Sequence, residues 1–108
     1  MATLVIRQFD LHPSPSTSSS ADAPLICILQ SHYLEAIDTV MVAPLLRAKG
    51  KVTATQVAVP VELEGEDYLL DVTLMANIER TSVGRPRGSL LSREYDIRRA
   101  LDRLFTGF

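Results

Sequence analysis

The sequence predicts a mainly β protein: a small, partly open β-barrel with one α-helix laid across it. Three observations carry that prediction. Short apolar or alternating runs recur along most of the chain, as half-buried or core-crossing strands require. Turn chemistry separates them, as at Glu64-Gly65 and Gly84-Arg85-Pro86-Arg87-Gly88. Only the final stretch, from Arg93 onward, changes to a helical period. Short strands joined by tight turns and closed by a single helix suit a barrel that does not fully close.

The strands are expected in this order. Leu4–Phe9 is rich in β-branched residues. His12–Pro24 is a break, with its prolines and the run Ser16-Thr17-Ser18-Ser19-Ser20, and reads as an enlarged hairpin tip with little to bury. Leu25–Leu29 is continuously apolar, as in a strand buried on both faces. Val40–Pro44 is the next strand, and residues 45–55 read as a basic loop around Arg47, Lys49 and Lys51. Val57–Leu63 alternates, and Pro60, which has no N–H to donate, points to an edge strand or a bulge. Glu64–Asp67 is a hairpin turn, Tyr68–Val72 returns, Leu74–Ile78 is irregular, and a further strand is expected near Glu79–Val83.

The closing helix follows from period and charge. Ile97, Leu101, Leu104 and Phe105 fall on one stripe. Ser92 is placed to cap it, Glu94 and Asp96 stand in the first turn, and Arg98, Arg99 and Arg103 follow, an order that suits the helix dipole. Glu94 and Arg98 form an i,i+4 pair of the favourable orientation, contributing about 0.2–0.5 kcal/mol. Gly107 stands where a left-handed C-terminal residue belongs. A helix ending on Phe105-Thr106-Gly107-Phe108 reads as an end that is docked, or that docks on something.

Composition narrows the function classes. The 108 residues fit one domain, 1–108, with the Ser/Pro-rich loop at 12–24 as an insertion. A formal charge of −2 gives no global basic field for nucleic acid. The single Cys27 sits in the apolar run, where it serves as a small buried hydrophobe; one cysteine makes no intrachain disulfide, which fits a reducing, cytoplasmic setting. No apolar run reaches the length of a membrane span, and the start of the chain does not read as a signal peptide. His12 and His32 lack ligand partners at metal spacing and are expected at the surface or in loops, so no metal or cofactor is implied. The acidic residues Glu62, Glu64, Glu66 and Asp67 read as a solvated turn, and Arg80, Thr81, Arg85 and Arg87 remain as candidates for phosphate contact. Residue types favour a binding module over an enzyme. The exposed edges of so small a sheet favour a dimer that covers them.

The order of the pieces resembles the CcdB family of plasmid and chromosomal toxins. The likeness runs through Leu25–Ser31, Val40-Met41-Val42-Ala43-Pro44-Leu45, the Val59-Pro60-Val61 hairpin with its acidic tip and Tyr68, Leu74-Met75-Ala76, and the closing helix with Glu94, Asp96, Ile97, Ala100, Phe105 and Gly107. It covers nearly the whole chain. The resemblance implies an SH3-like barrel with extra strands and a C-terminal helix, and a symmetric homodimer. It implies a non-enzymatic poison that binds the A subunit of DNA gyrase and traps it with DNA cut, meeting DNA only through gyrase or the antitoxin. It also implies neutralisation by a CcdA-like antitoxin whose disordered tail folds along the toxin. Carried over residue by residue, the gyrase contacts fall on Tyr33, Leu34, Asp102, Thr106, Gly107 and Phe108. Two positions depart from the pattern. Toxic members carry Trp where this chain has Thr106, and a neutral amide where it has Asp102. Two other readings therefore stand beside the first: a non-toxic homologue that keeps antitoxin binding, and an endoribonuclease like the MazF toxins, using Arg80, Thr81, Arg85 and Arg87.

Overall fold

The apolar run at Leu25–Leu29 is buried on both faces, as its sequence requires. Alternate side chains of a strand point to opposite sides. Cys27 and Leu29 join one core with Leu11, Leu45 and Leu70, while Ile26 and Ile28 join a second with Val40, Val42 and Val83. The protein, seen in a computed structural model that describes residues 6–15, 23–34, 36–48 and 57–107, is a curled antiparallel sheet with a core on each side. Its strands are β1 (Asp10–Pro13), β2 (Leu25–Ile28), β3 (Thr39–Arg47), β4 (Ala58–Leu63), β5 (Glu66–Asp71), β6 (Ala76–Glu79) and β7 (Gly88–Ser89). One helix, α1 (Glu94–Thr106), covers the larger core through Ile97 and Ala100. This is the partly open, mainly β barrel with a closing helix.

The sheet runs β4-β5-β3-β2-β1-β7, with β6 also paired to β3. Central β3 explains that branch. Its first half pairs with β6, from Thr39↔Glu79 to Val42↔Ala76, and its last residues pair with β5, from Leu45↔Leu70 to Arg47↔Tyr68. β5 and β6 are thus one line of chain, interrupted by a 3-10 turn at Val72–Leu74. Asp71 caps that turn by accepting from the Thr73 N–H at 3.0 Å. β4 is an edge strand, one of the two settings that Pro60 pointed to. The Pro60 carbonyl accepts from the Arg93 guanidinium at 2.7 Å, so this edge lacks one donor and has one acceptor already occupied.

Several boundaries differ from the sequence reading, each for a local reason. Of the strand expected at Leu4–Phe9, Leu4 and Val5 lie outside the described residues, and Ile6–Phe9 is not strand. The Asp10 N–H bonds the Arg7 carbonyl, and buried Phe9 takes a left-handed φ of 70°, a turn geometry usually left to Gly. Pairing therefore starts at Asp10 and takes His12 and Pro13 out of the expected 12–24 break; residues 16–22 lie outside the described set. Leu45–Arg47 belong to β3 and not to a basic loop, because they pair with β5; residues 49–56 are not described. The hairpin tip shrinks to Glu64-Gly65, both at positive φ, which matches the right-handed strand twist. Ala76–Glu79 is a strand where an irregular piece was expected, and Arg80–Ser82 is a 3-10 turn where a strand was.

His12 is another correction. It is buried and not at the surface, with Nδ1 2.8 Å from the Gly84 carbonyl. A carbonyl only accepts, so Nδ1 carries the proton. Nε2 is left without a partner among the described residues.

Candidate functional site

The last turns of α1 form the first surface of interest. The helix starts one residue later than Ser92 would set it. Arg93 is the N-cap residue without a side-chain cap, and Ser92 belongs to a preceding 3-10 turn. The expected Glu94–Arg98 pair forms at 3.3 Å, and Arg93 pairs with Asp96 at 3.1 Å. Arg98 also lies over the Phe9 ring, 5.5 Å from its centroid, tying helix to sheet. At the far end Gly107 adopts φ 80° and its N–H bonds the Arg103 carbonyl at 2.9 Å, as a left-handed stop should. The Thr106 hydroxyl donates to the Asp102 carbonyl at 2.6 Å.

The predicted apolar stripe is only half a core stripe. Ile97 is wholly buried, Ala100 nearly so, and Leu101 packs at the margin. Leu104 is exposed, and Phe105 is 72% exposed, flanked in sequence by the polar Thr106-Gly107 step.

The second surface is the connection from β2 to β3. A 3-10 turn at His32–Leu34 lifts Tyr33 into solvent, 86% exposed, with Leu34 at 47% and Ile37 at 46%. The Ser31 hydroxyl accepts the Tyr33 N–H at 3.2 Å, and the His32 ring sits against Tyr33 at 4.6 Å. Exposed aromatic and aliphatic side chains gathered on a short segment are what a partner's pocket uses as anchors.

Residues 8–107 match the CcdB protein family. This chain belongs to the CcdB family. Two solved structures share its fold. The Mycobacterium tuberculosis toxin MazF-mt6 is 22% identical, with 92% of this chain and 96% of that chain covered and a TM-score of 0.68. An Mtb toxin known from a crystal structure is 23% identical, with 75% of this chain and 90% of that chain covered and a TM-score of 0.62. Among curated protein sequences none matches significantly.

As a CcdB-family chain, the protein is of the toxin class of toxin–antitoxin proteins. The residues that the family pattern singles out fall into two groups. Asp102, Thr106 and Gly107 share the end of α1, all exposed. Phe108 lies outside the described residues. Tyr33 and Leu34 share the β2–β3 connection with Ile37. Among the described residues, no hydrogen bond, ion pair or ring contact links the two groups.

The residues of the nuclease reading do not converge. Arg80 turns its guanidinium onto the backbone of the β2–β3 connection, donating to Ile37 and Leu34 carbonyls. With Thr81 it lines an open groove of about 600 Å³ that also holds Asp38, Thr39 and Glu79. Arg87 lines a different cleft with Tyr68 and Glu64, and Arg85 is exposed on the loop between. Among the described residues no group of three or more His, Cys, Asp or Glu is placed to hold a metal ion, and no helix is long and apolar enough to cross a membrane. The acidic hairpin is more than a solvated turn. The Tyr68 hydroxyl donates to Glu66 at 2.9 Å and Arg47 pairs with the same carboxylate. The Tyr68 bond, followed by Arg47, holds the Glu66 carboxyl below its ordinary range.

Sequence reasoning missed Phe105 as a surface residue, Ile37 as a companion of Tyr33, and Arg80 as their brace. Phe105 left no signal, because it shares its periodic stripe with buried Ile97. Arg80 left none either, because its partners are backbone carbonyls 43 and 46 residues away.

Proposed function

We propose that this protein is a toxin that binds the A subunit of DNA gyrase and poisons it, with no catalytic step of its own. The observation that carries the reading is the exposed Phe105 at the end of α1, beside Thr106-Gly107, in a chain of the CcdB family. Toxic relatives place Trp where this chain has Thr106. Here an aromatic ring one residue earlier offers apolar area at the same end of the helix. Tyr33 and Leu34 form the second contact, with Asp102 and Phe108 completing the first. The protein acts as a cytoplasmic homodimer of a single domain, meets DNA only through gyrase or its antitoxin, and serves plasmid maintenance. A CcdA-like antitoxin with a disordered tail neutralises it.

The test is inducible expression in a gyrase-sensitive bacterium, paired with capture of the gyrase A subunit, for wild type, Phe105→Ala and Thr106→Trp. Growth arrest with gyrase captured by wild type, both lost in Phe105→Ala, supports the reading. A harmless wild type that binds a CcdA-like tail, and becomes toxic as Thr106→Trp, identifies a non-toxic homologue. RNA cleavage by the purified protein that disappears in Arg80→Ala replaces both with an endoribonuclease.

A further inference from the structure

The β2–β3 connection displays three large apolar side chains on a segment that has no strand partner, and something must hold it in that shape. A lone 3-10 turn of three residues does not persist unaided, since nucleation is costly and few bonds reward it. Tyr33 is largely exposed, against the His32 ring alone, and Leu34 and Ile37 are about half exposed, so side-chain packing gives the segment limited support while no partner is bound. The turn's own bonds, Leu34 N–H to the Ser31 carbonyl and Ile37 N–H to the Leu34 carbonyl, are both 3.1 Å and local. At its base the Gln30 side chain bridges to β3 through the Thr39 carbonyl and the Met41 N–H, each at 3.3 Å.

The Gln8 N–H donates to His32 Nδ1 at 3.5 Å at the near end of the turn, and the far end is braced by one distant residue. Arg80, in the 3-10 turn after β6, donates its backbone N–H to the Asp38 carbonyl at 2.8 Å. Its Nε donates to the Ile37 carbonyl at 2.9 Å, and Nη2 reaches the Leu34 carbonyl at 3.4 Å. One planar, permanently charged fork thus spans the two residues whose side chains flank the platform's far edge. Arginine suits this task because its donors diverge in a fixed plane, whereas a lysine ammonium is a single point on a flexible stem.

We propose that Arg80 is a positioning residue for the partner-binding surface: its guanidinium clasps the β2–β3 connection so that Tyr33, Leu34 and Ile37 present one rigid apolar platform. Ile37 joins Tyr33 and Leu34 as a contact. The inference rests on the reading that this surface meets gyrase, but the clasp itself is tested without any partner. Pre-ordering of this kind improves affinity by removing the cost of fixing a loose segment on binding.

The experiment uses the full chain as wild type, Arg80→Ala, Arg80→Lys and Ile37→Ala. Amide hydrogen exchange reads the clasp directly, because Leu34 and Ile37 N–H groups are bonded inside the connection while Val42 lies in the sheet. In Arg80→Ala, exchange at Leu34 and Ile37 quickens about tenfold or more, with Val42 and the melting temperature nearly unchanged. Affinity for purified gyrase A subunit falls by about tenfold in Arg80→Ala, and by a similar factor in Ile37→Ala, whose exchange pattern stays that of wild type. Arg80→Lys recovers only part of both losses. Unchanged protection in Arg80→Ala overturns the clasp. Arg80→Lys with wild-type affinity but a connection as loose as in Arg80→Ala also overturns it, and makes Arg80 a direct charge contact. If wild type captures no gyrase, the target reading fails, and the exchange data alone uphold or overturn the clasp.

Discussion

Replacing Phe105 with Ala separates partner binding from folding. Phe105 is 72% exposed. A phenylalanine offers roughly 150–250 Å² of surface, so roughly 110–180 Å² is available to a partner. At about 25 cal/mol per Å², full coverage corresponds to a gross gain of about 3–4.5 kcal/mol. Incomplete coverage and the entropy of fixing the ring reduce the expected truncation cost to about 2 kcal/mol. That is about a thirtyfold rise in Kd. The small buried remainder of the ring limits the loss of fold stability to about 1–2 kcal/mol. The assay is titration of purified gyrase A subunit with wild type and Phe105→Ala, beside urea denaturation of both. Binding within about twofold of wild type, where wild type binds, refutes the assignment of Phe105 as an anchor. A large loss of stability refutes its exposure.

Four further outcomes follow from the same structure. Ile97→Ala, at a wholly buried position on the same helix, lowers unfolding free energy by about 2–4 kcal/mol in urea denaturation, in contrast to Phe105→Ala. Burial, with a smaller effect from the Asp10 charge, pushes the Cys27 thiol up to about 12, so an alkylating reagent at about pH 8 modifies it only after denaturant unfolds the chain, as mass spectrometry reads directly. Glu66, exposed yet held low by Tyr68 and Arg47, contributes stability above its ordinary pKa of 4.5 that is lost as pH falls through its depressed folded value; melting curves against pH lose that acid arm in Glu66→Gln. Tyr68 is raised, by burial first and then by Glu66, so its contribution is present below its ordinary 10 and lost as pH climbs through the higher folded value.

The fold was legible where one residue's neighbours in sequence are also its neighbours in space. The Leu25–Leu29 run read as a strand with two buried faces, Pro60 pointed to an edge or a bulge, and Glu64-Gly65 pointed to a turn. The Glu94–Arg98 pair and the Gly107 stop are likewise local, and each appears in place. The family likeness was legible in the same way, as a colinear series of short patterns from Leu25 to Gly107, and the family match covers residues 8–107.

What the sequence by itself determined is therefore the kind of elements, their order, and the helix that closes them. Period, turn chemistry and capping act within a few residues and need no knowledge of the rest of the chain. Only the tertiary structure decided which apolar residues serve the core and which face outward. Ile97 and Phe105 share one periodic stripe, yet the sheet lies under the first and not the second. His12 looks like a loop histidine until β1 reaches it and places it against Gly84. Arg80 looks like a solvated charge until a segment more than forty residues away presents its carbonyls to it. Burial and hydrogen bonding between distant segments depend on which surfaces the folded sheet brings together, and a linear pattern carries no record of that.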